Sequence, residues 1–150
     1  MRLARDFDGP ATLDEVRRGI EAIHPSFEIT ETRGDFVAQI ALALADNAQQ
    51  KSVILGEGRP LGDLDLERVE AVVTLNGQEV ARGFGSAVLG NPLQSVAWLA
   101  GKLGAYGRKL RAGDVVMTGS FVRQFPLGPG DRARATFSDL GDVEVAVAAN

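Results

Sequence analysis

The chain has 150 residues, 45% of them hydrophobic and 24% charged, and this composition predicts one folded domain with a hydrophobic core rather than a disordered segment. A net charge of −4 at pH 7, with no long basic run, argues against a nucleic-acid partner, and the absence of cysteine excludes disulfides and thiolate metal sites. No apolar stretch approaches the roughly 20 residues of a membrane span or forms a signal peptide, so we expect a cytoplasmic protein with no membrane partner.

The first third of the chain predicts two helices and two strands. The sequence TLDE at residues 12–15 matches a capping box, and apolar residues at 13, 16, 20 and 23 have helical spacing, so a helix is expected from Leu13 until His24 and Pro25 end it. Alternation around Glu28 predicts a short strand over 27–29, with this carboxylate pointing away from its apolar neighbours. An alanine-rich run predicts a helix over 36–45, and residues 52–55 predict a buried strand.

The rest of the chain predicts a hairpin, a helix and a β-rich tail. Asn76-Gly77 between segments 69–75 and 78–84 predicts a hairpin with a type I′ turn, in which both central residues need positive φ. Asn91 is placed to cap a helix that begins at Pro92 and carries apolar residues at 96, 99, 100 and 103 along one face. Four strands are predicted over 115–117, 121–125, 132–137 and 143–147, and the whole pattern favours an α+β domain.

Few residues offer reactive chemistry. The lone histidine, His24, is interpreted as a residue at the end of a helix, since no cysteine or hydroxyl cluster accompanies it. Glu28 and Glu31, beside Asp35, are candidate oxygen ligands for a hard cation such as Mg²⁺, or are ordinary solvated surface acids. Gly83-x-Gly85 lacks the third glycine and the following helix of a nucleotide loop and is interpreted as strand glycines.

Longer motifs carry a resemblance to a known family. The segments are AVLGNP at 87–92, VAWLA at 96–100, LRAGDVV at 110–116 and TGS at 118–120, preceded by HPSFEI at 24–29 and ADNA at 45–48. Together they resemble the 2-keto-4-pentenoate hydratases of the fumarylacetoacetate hydrolase superfamily, over the whole of residues 1–150, which are read as one hydratase-like domain.

This resemblance implies a β-roll with flanking helices and a divalent cation, Mg²⁺ or Mn²⁺, that chelates a small 2-oxo acid and acts as a Lewis acid in adding or removing water. Glu28 matches the family's last metal-ligand carboxylate. Thr118, Gly119 and Ser120 match the loop that lines the substrate pocket, where small residues let donors approach an anion closely. An ordinary turn is the alternative interpretation of this loop, and no catalytic acid or base is identified.

The chain also departs from the family pattern. A Glu-x-Glu pair that supplies two further metal ligands is expected just before a stretch that resembles residues 2–6, and Val37, Gln39 and Leu42 stand where the family has lysines and an aspartate. Two function classes therefore stay open: a hydro-lyase acting on a 2-oxo or 2-hydroxydienoate acid, incomplete as a lone chain, or a non-catalytic relative that binds a small acid or a partner subunit. In either case, apolar surface that longer relatives cover predicts a homo-oligomer or a paired subunit.

Overall fold

The computed structural model describes residues 1–34 and 39–149. Within these ranges three α-helices and eight strands form, together with 3₁₀ turns at Asn47–Gln49 and Gly85–Ala87. The helices are α1 (Leu13–Arg18), α2 (Ile40–Ala45) and α3 (Leu93–Gly104). The strands are β1 (Arg2–Leu3), β2 (Ile20–Ala22), β3 (Ser26–Thr30), β4 (Gln50–Leu55), β5 (Glu70–Leu75), β6 (Gln78–Phe84), β7 (Arg132–Phe137) and β8 (Gly141–Ala146).

The strands form three antiparallel sheets in the described ranges. The largest has the order β6-β5-β7-β8, while β1 pairs with β2 and β3 pairs with β4. The predicted hairpin is confirmed: Asn76 and Gly77 have φ values of 51° and 85°, as a type I′ turn requires. With helices beside antiparallel sheets, the architecture is the predicted α+β class.

Two apolar clusters hold these layers together. The larger one packs α1 and α3 against the N-terminal strand through fully buried side chains such as Leu3, Val16 and Val96. The smaller one lies between the four-stranded sheet and β3–β4, where Phe27 and Ile54 pack against the buried side chains of that sheet. The second cluster therefore fixes β3, which carries Glu28, over the sheet.

Local side-chain bonds set where α1 and α3 begin. Thr12 Oγ1 accepts a hydrogen bond from the Glu15 amide at 3.3 Å, and the Glu15 carboxylate accepts one from the Thr12 amide at 2.8 Å, so the predicted capping box is confirmed. At α3, Asn91 Oδ1 accepts a hydrogen bond from the Leu93 amide at 2.9 Å, and Pro92 has helical φ and ψ.

Removing the Thr12 hydroxyl tests the capping box. Thr12→Ala should lower the free energy of unfolding at pH 7 by about 1 kcal/mol, because one helix-end amide loses its partner. Hydrogen bonds from the Thr12 amide and hydroxyl lower the pKa of the Glu15 carboxyl, and the variant loses the hydroxyl bond only. The stability that this bond adds is present above the ordinary pKa of a glutamate and is lost as the pH falls through the lowered pKa of Glu15. Urea titrations of both proteins at pH 7 and near pH 3 measure this; an unchanged difference between them at the two pH values would contradict the linkage.

The helix predicted to run from Leu13 to His24 is shorter than expected. It ends at Arg18, where the Gly19 amide donates to the carbonyls of the last turn, and Ile20–Ala22 then forms β2 against β1. Cross-strand pairing with the N-terminus overrides the helical spacing of residues 20 and 23. His24 consequently follows a strand, and its assignment to a helix end was wrong.

Two of the four strands predicted for the C-terminal part of the chain do not form. Residues 115–117 form only an isolated bridge, between Val115 and Arg2, and residues 121–125 have no ladder partner in the described ranges. The strands of the last predicted pair are confirmed as β7 and β8. In addition, β4 is not wholly buried, because Val53 and Leu55 face outward with 39% and 37% of their surface exposed.

The predicted helix over 36–45 is observed as α2, Ile40–Ala45, and its first three predicted residues lie outside the described ranges. None of the α2 side chains is buried, and Ile40 and Leu44 are 77% and 69% exposed. Over the part of the chain that the structure describes, no helix has both the length and the apolarity needed to span a bilayer.

Candidate functional site

A cleft of about 840 Å³ lies between β3–β4, the inner face of the large sheet and the irregular segment after residue 115. Most of its lining is apolar, including Phe27, Ile54 and Val73 from the second cluster. Its charged and hydroxyl-bearing lining residues are Ser26, Glu28, Thr30, Glu31, Lys51, Ser52, Thr118, Ser120 and Arg123. A cleft of this size that combines an apolar body with a few polar groups is typical of a small-molecule site.

Residues Thr118, Gly119 and Ser120, here called the 118–120 loop, form part of the cleft wall. Gly119 has φ = +130°, a conformation that favours glycine, and a Cβ there would lie 3.0 Å from Val88 Cγ1. The loop is held from behind, because the Ser95 hydroxyl donates to the Thr118 carbonyl at 2.6 Å. Only a residue without a side chain therefore fits at the centre of this bend.

The 118–120 loop presents unused backbone donors. Within the described ranges, the amides of Thr118, Gly119 and Ser120 donate no hydrogen bond. The Ser120 hydroxyl is already used, since it donates to the Val122 carbonyl at 2.6 Å. Unsatisfied amides in consecutive residues, of which Gly119 and Ser120 are exposed and Thr118 is half-buried, suit an anionic ligand. The donors available to such a ligand are these amides and the Thr118 hydroxyl rather than the Ser120 hydroxyl.

The segment that follows, residues 121–125, is anchored at both ends by aromatic contacts. Phe121 packs edge-on against Phe137 at 5.4 Å between ring centroids, and Phe125 packs similarly against Phe27 at 6.5 Å. The Phe121 carbonyl also passes so close to β6 that a Cβ at Gly83 would lie 1.9 Å from its oxygen. This close approach explains why the sequence has glycine at position 83.

Glu28 is an exposed residue of β3 that faces away from the half-buried Phe27 and Ile29, as its alternation predicts. It pairs in register with Val53 of β4 and is among the residues that line the cleft. In residues 1–34 and 39–149 neither an ion pair nor a hydrogen bond engages its carboxylate. Glu28 is thus an exposed, unengaged carboxylate on a residue that lines the cleft.

Glu31, the second predicted carboxylate, is occupied. Lys51 Nζ lies 2.7 Å from Glu31 Oε1 and Arg33 lies 3.4 Å from its other oxygen, so the pKa of the Glu31 carboxyl falls below its usual range. Arg33 in turn bonds Asp46 at 2.8 Å, which ties the ADNA segment to the end of β3. The third predicted carboxylate, Asp35, lies outside the described residues.

Sequence reasoning missed two features of the cleft. His24 Nδ1 lies 3.0 Å from the Gly56 carbonyl oxygen, while its Nε2 is buried and has no partner in the described part of the chain. A Cβ at Gly58 would lie 2.3 Å from the imidazole ring, so this glycine makes room for it. Arg123 also lines the cleft. Its position three residues after Ser120 is the sequence signal that could have identified it as a lining residue.

The α+β fold thus brings an amide-bearing loop and a carboxylate-bearing strand to the wall of one largely apolar cleft. The chain belongs to the fumarylacetoacetate hydrolase family, whose C-terminal domain (fumarylacetoacetate hydrolase C-terminal) matches residues 11–148. The β-roll with flanking helices that the sequence predicts is therefore confirmed.

Several characterised proteins are similar to the chain. A 2-hydroxyhexa-2,4-dienoate hydratase of Comamonas testosteroni is 35% identical over 95% of this chain and 55% of its own length. A 2-keto-4-pentenoate hydratase of Paraburkholderia xenovorans is 32% identical over 99% of this chain and 56% of its own. The 4-oxalocrotonate decarboxylase of Pseudomonas putida G7, solved with magnesium and adipate, superposes with a TM-score of 0.90 at 32% identity over 97% of this chain and 57% of that one. The chain thus spans little more than half the length of the relatives it matches.

The donor set of the described residues does not make a divalent-cation site by itself. In residues 1–34 and 39–149 no three His, Cys, Asp or Glu side chains lie together where they could hold a metal ion. Glu28 supplies one carboxylate and Glu31 is engaged by Lys51, whereas Mg²⁺ prefers several oxygen ligands in octahedral geometry. Of the positions that depart from the family pattern, Gln39 precedes α2, Leu42 is 45% exposed on it, and Val37 lies outside the described residues.

Proposed function

We propose that residues 1–150 form one domain that supplies the acid-binding cleft of a hydro-lyase acting on a small 2-oxo or 2-hydroxydienoate acid. The observation that carries this proposal is the 118–120 loop, whose unused amides lie in the wall of an apolar cleft that Glu28 also lines. Support comes from the hydratases that match nearly all of the chain. A cytoplasmic location belongs to the same proposal, as the place of such catabolic chemistry.

Within this proposal, the polar and the apolar residues of the cleft have different roles in binding the substrate. The amides of Thr118, Gly119 and Ser120 bind the substrate carboxylate, and the Thr118 hydroxyl is a further donor. The apolar lining excludes water from the carbon skeleton, which strengthens each polar contact. The loop can do this without rearranging, because Ser95 and the glycine conformation already fix it.

For the cation we propose a shared site. Glu28 would be one ligand of Mg²⁺ or Mn²⁺, and carboxylates from polypeptide outside these 150 residues would provide the rest. The magnesium in the similar decarboxylase supports the type of ion. The exposed apolar side chains of α2 support a covering chain, either a second copy or a paired subunit.

A second function remains supported by one observation. Since the described residues supply a single unengaged cleft carboxylate, a non-catalytic relative that binds a small acid or a partner subunit is the alternative. The two functions share the acid-binding loop and differ in turnover, so binding and catalysis have to be measured separately.

Gly119→Ala tests the acid-binding loop. The methyl group would meet Val88 at 3.0 Å in a backbone conformation that alanine rarely adopts, so the amides should move and the affinity for 2-oxopentanoate should fall roughly tenfold. Titrations followed by amide NMR should show the largest shifts of the parent protein at residues 118–120.

The matched control is Gly113→Ala. Gly113 also has positive φ, +86°, but nothing lies within 4 Å of its Cβ position and it does not line the cleft. Its backbone penalty is comparable, so acid affinity should stay unchanged. Equal loss in both variants, or binding that leaves residues 118–120 unshifted, would contradict the assigned role of the loop.

A further inference from the structure

The charged side chains of the cleft divide into one internal pair and two separate groups. Glu28, Glu31, Lys51 and Arg123 are its acidic and strongly basic lining residues. Lys51 and Glu31 neutralise each other at 2.7 Å. Glu28 and Arg123 are left, and over the described ranges no ion pair or hydrogen bond engages the Arg123 guanidinium.

The backbone position of Arg123 is held by its neighbours. It lies midway between Phe121 and Phe125, whose rings pack against Phe137 and Phe27, and the Ser120 hydroxyl bonds the carbonyl of the residue before it. The backbone that carries this exposed side chain is therefore held three residues from the 118–120 loop. The loop and Arg123 thus provide two kinds of anion-binding group in the lining of one cleft.

We infer that Arg123 determines substrate specificity by binding a second carboxylate, so that the cleft takes a dicarboxylic 2-oxo acid in preference to a monocarboxylic one. The inference rests on the proposed function, since it assumes that the first carboxylate lies on the 118–120 loop. A planar guanidinium binds a carboxylate through two parallel hydrogen bonds. A substrate that ends in an apolar group leaves the guanidinium without a partner. A substrate without the distal carboxylate loses that contact and gains nothing in exchange.

The test compares 2-oxoadipate with 2-oxohexanoate, which have the same number of carbons and differ in the distal carboxylate. The parent chain should bind 2-oxoadipate roughly tenfold more tightly in an NMR titration, and Arg123→Gln should abolish this preference without changing the affinity for 2-oxohexanoate. Arg123→Lys should retain part of it, because it keeps the charge and loses the fork. The preference should also shrink in high salt, as expected for a partly exposed ion pair.

Arg68→Gln is the matched control, because Arg68 is 88% exposed and does not line the cleft; it should leave both affinities unchanged. If 2-oxohexanoate binds as well as 2-oxoadipate, or if Arg123→Gln weakens both acids equally, the role of Arg123 is overturned and the proposed function stands. If neither acid binds the parent chain, both fall together. Selective loss of 2-oxoadipate binding in Arg123→Gln supports both.

Discussion

The purified 150-residue chain is expected to hydrate 2-hydroxypentadienoate-type acids at least 100-fold more slowly than the same chain supplied with a Glu-x-Glu segment. That segment is added either ahead of Met1 or on a partner subunit. The physical reason is the donor set: Glu28 alone cannot fix a divalent cation before charge develops on the substrate, and losses of this order follow when a metal site is incomplete. Turnover is measured as loss of the dienoate absorbance with Mg²⁺ or Mn²⁺ present.

Glu28→Gln is the decisive variant in that assay. In the supplemented protein it should remove the gained activity, because the amide keeps the shape of the side chain and loses its charge. A Gln-x-Gln segment controls for effects of chain length. Rapid turnover by the chain alone, insensitive to chelator and to Glu28→Gln, would show that the metal-sharing proposal is wrong.

Gly83→Ala should damage stability and acid binding together. The added methyl group would lie 1.9 Å from the Phe121 carbonyl oxygen, a backbone atom, so the segment that carries Arg123 must move off β6. Overpacking of this kind costs about 1–3 kcal/mol of unfolding free energy. Affinity for 2-oxopentanoate should also fall roughly tenfold, as displaced residues pull on the neighbouring loop. Urea unfolding and NMR titration measure the two effects.

Gly101→Ala provides the comparison for this variant. A Cβ at Gly101 of α3 would meet Pro10 only at 3.7 Å, so the same chemical change should raise stability by up to about 1 kcal/mol through helix propensity and leave binding unchanged. A Gly83→Ala protein as stable and as acid-binding as the parent would mean that the segment is not held where the structure has it.

Elements with strong local signals could be predicted from the sequence. The Thr12–Glu15 capping box, the Asn76-Gly77 turn and the Asn91 cap of α3 all form as expected, because each depends on residues within a few positions of one another. Long-range contacts decided the failures. Pairing with β1 converts residues 20–22 into a strand, and aromatic packing holds residues 121–125 beside the sheet without a ladder.

The candidate site likewise combines features that the sequence predicts with features that only the structure shows. The family resemblance placed Glu28 and the 118–120 loop in one pocket, and the structure brings them to the walls of one cleft although about 90 residues separate them; their roles remain predictions. No local pattern could show that the Ser120 hydroxyl donates to the Val122 carbonyl, or that Lys51 from the neighbouring strand forms an ion pair with Glu31. Such pairings depend on the register of β3 with β4 and on the loop's own path.

The most direct test of this account is a calorimetric Mn²⁺ titration of the 150-residue chain with and without the Glu-x-Glu segment. The account predicts weak binding by the chain alone, at least 100-fold tighter binding when the segment is present, and loss of that gain in Glu28→Gln. Tight binding of Mn²⁺ by the unsupplemented chain, or a gain that survives Glu28→Gln, would contradict it.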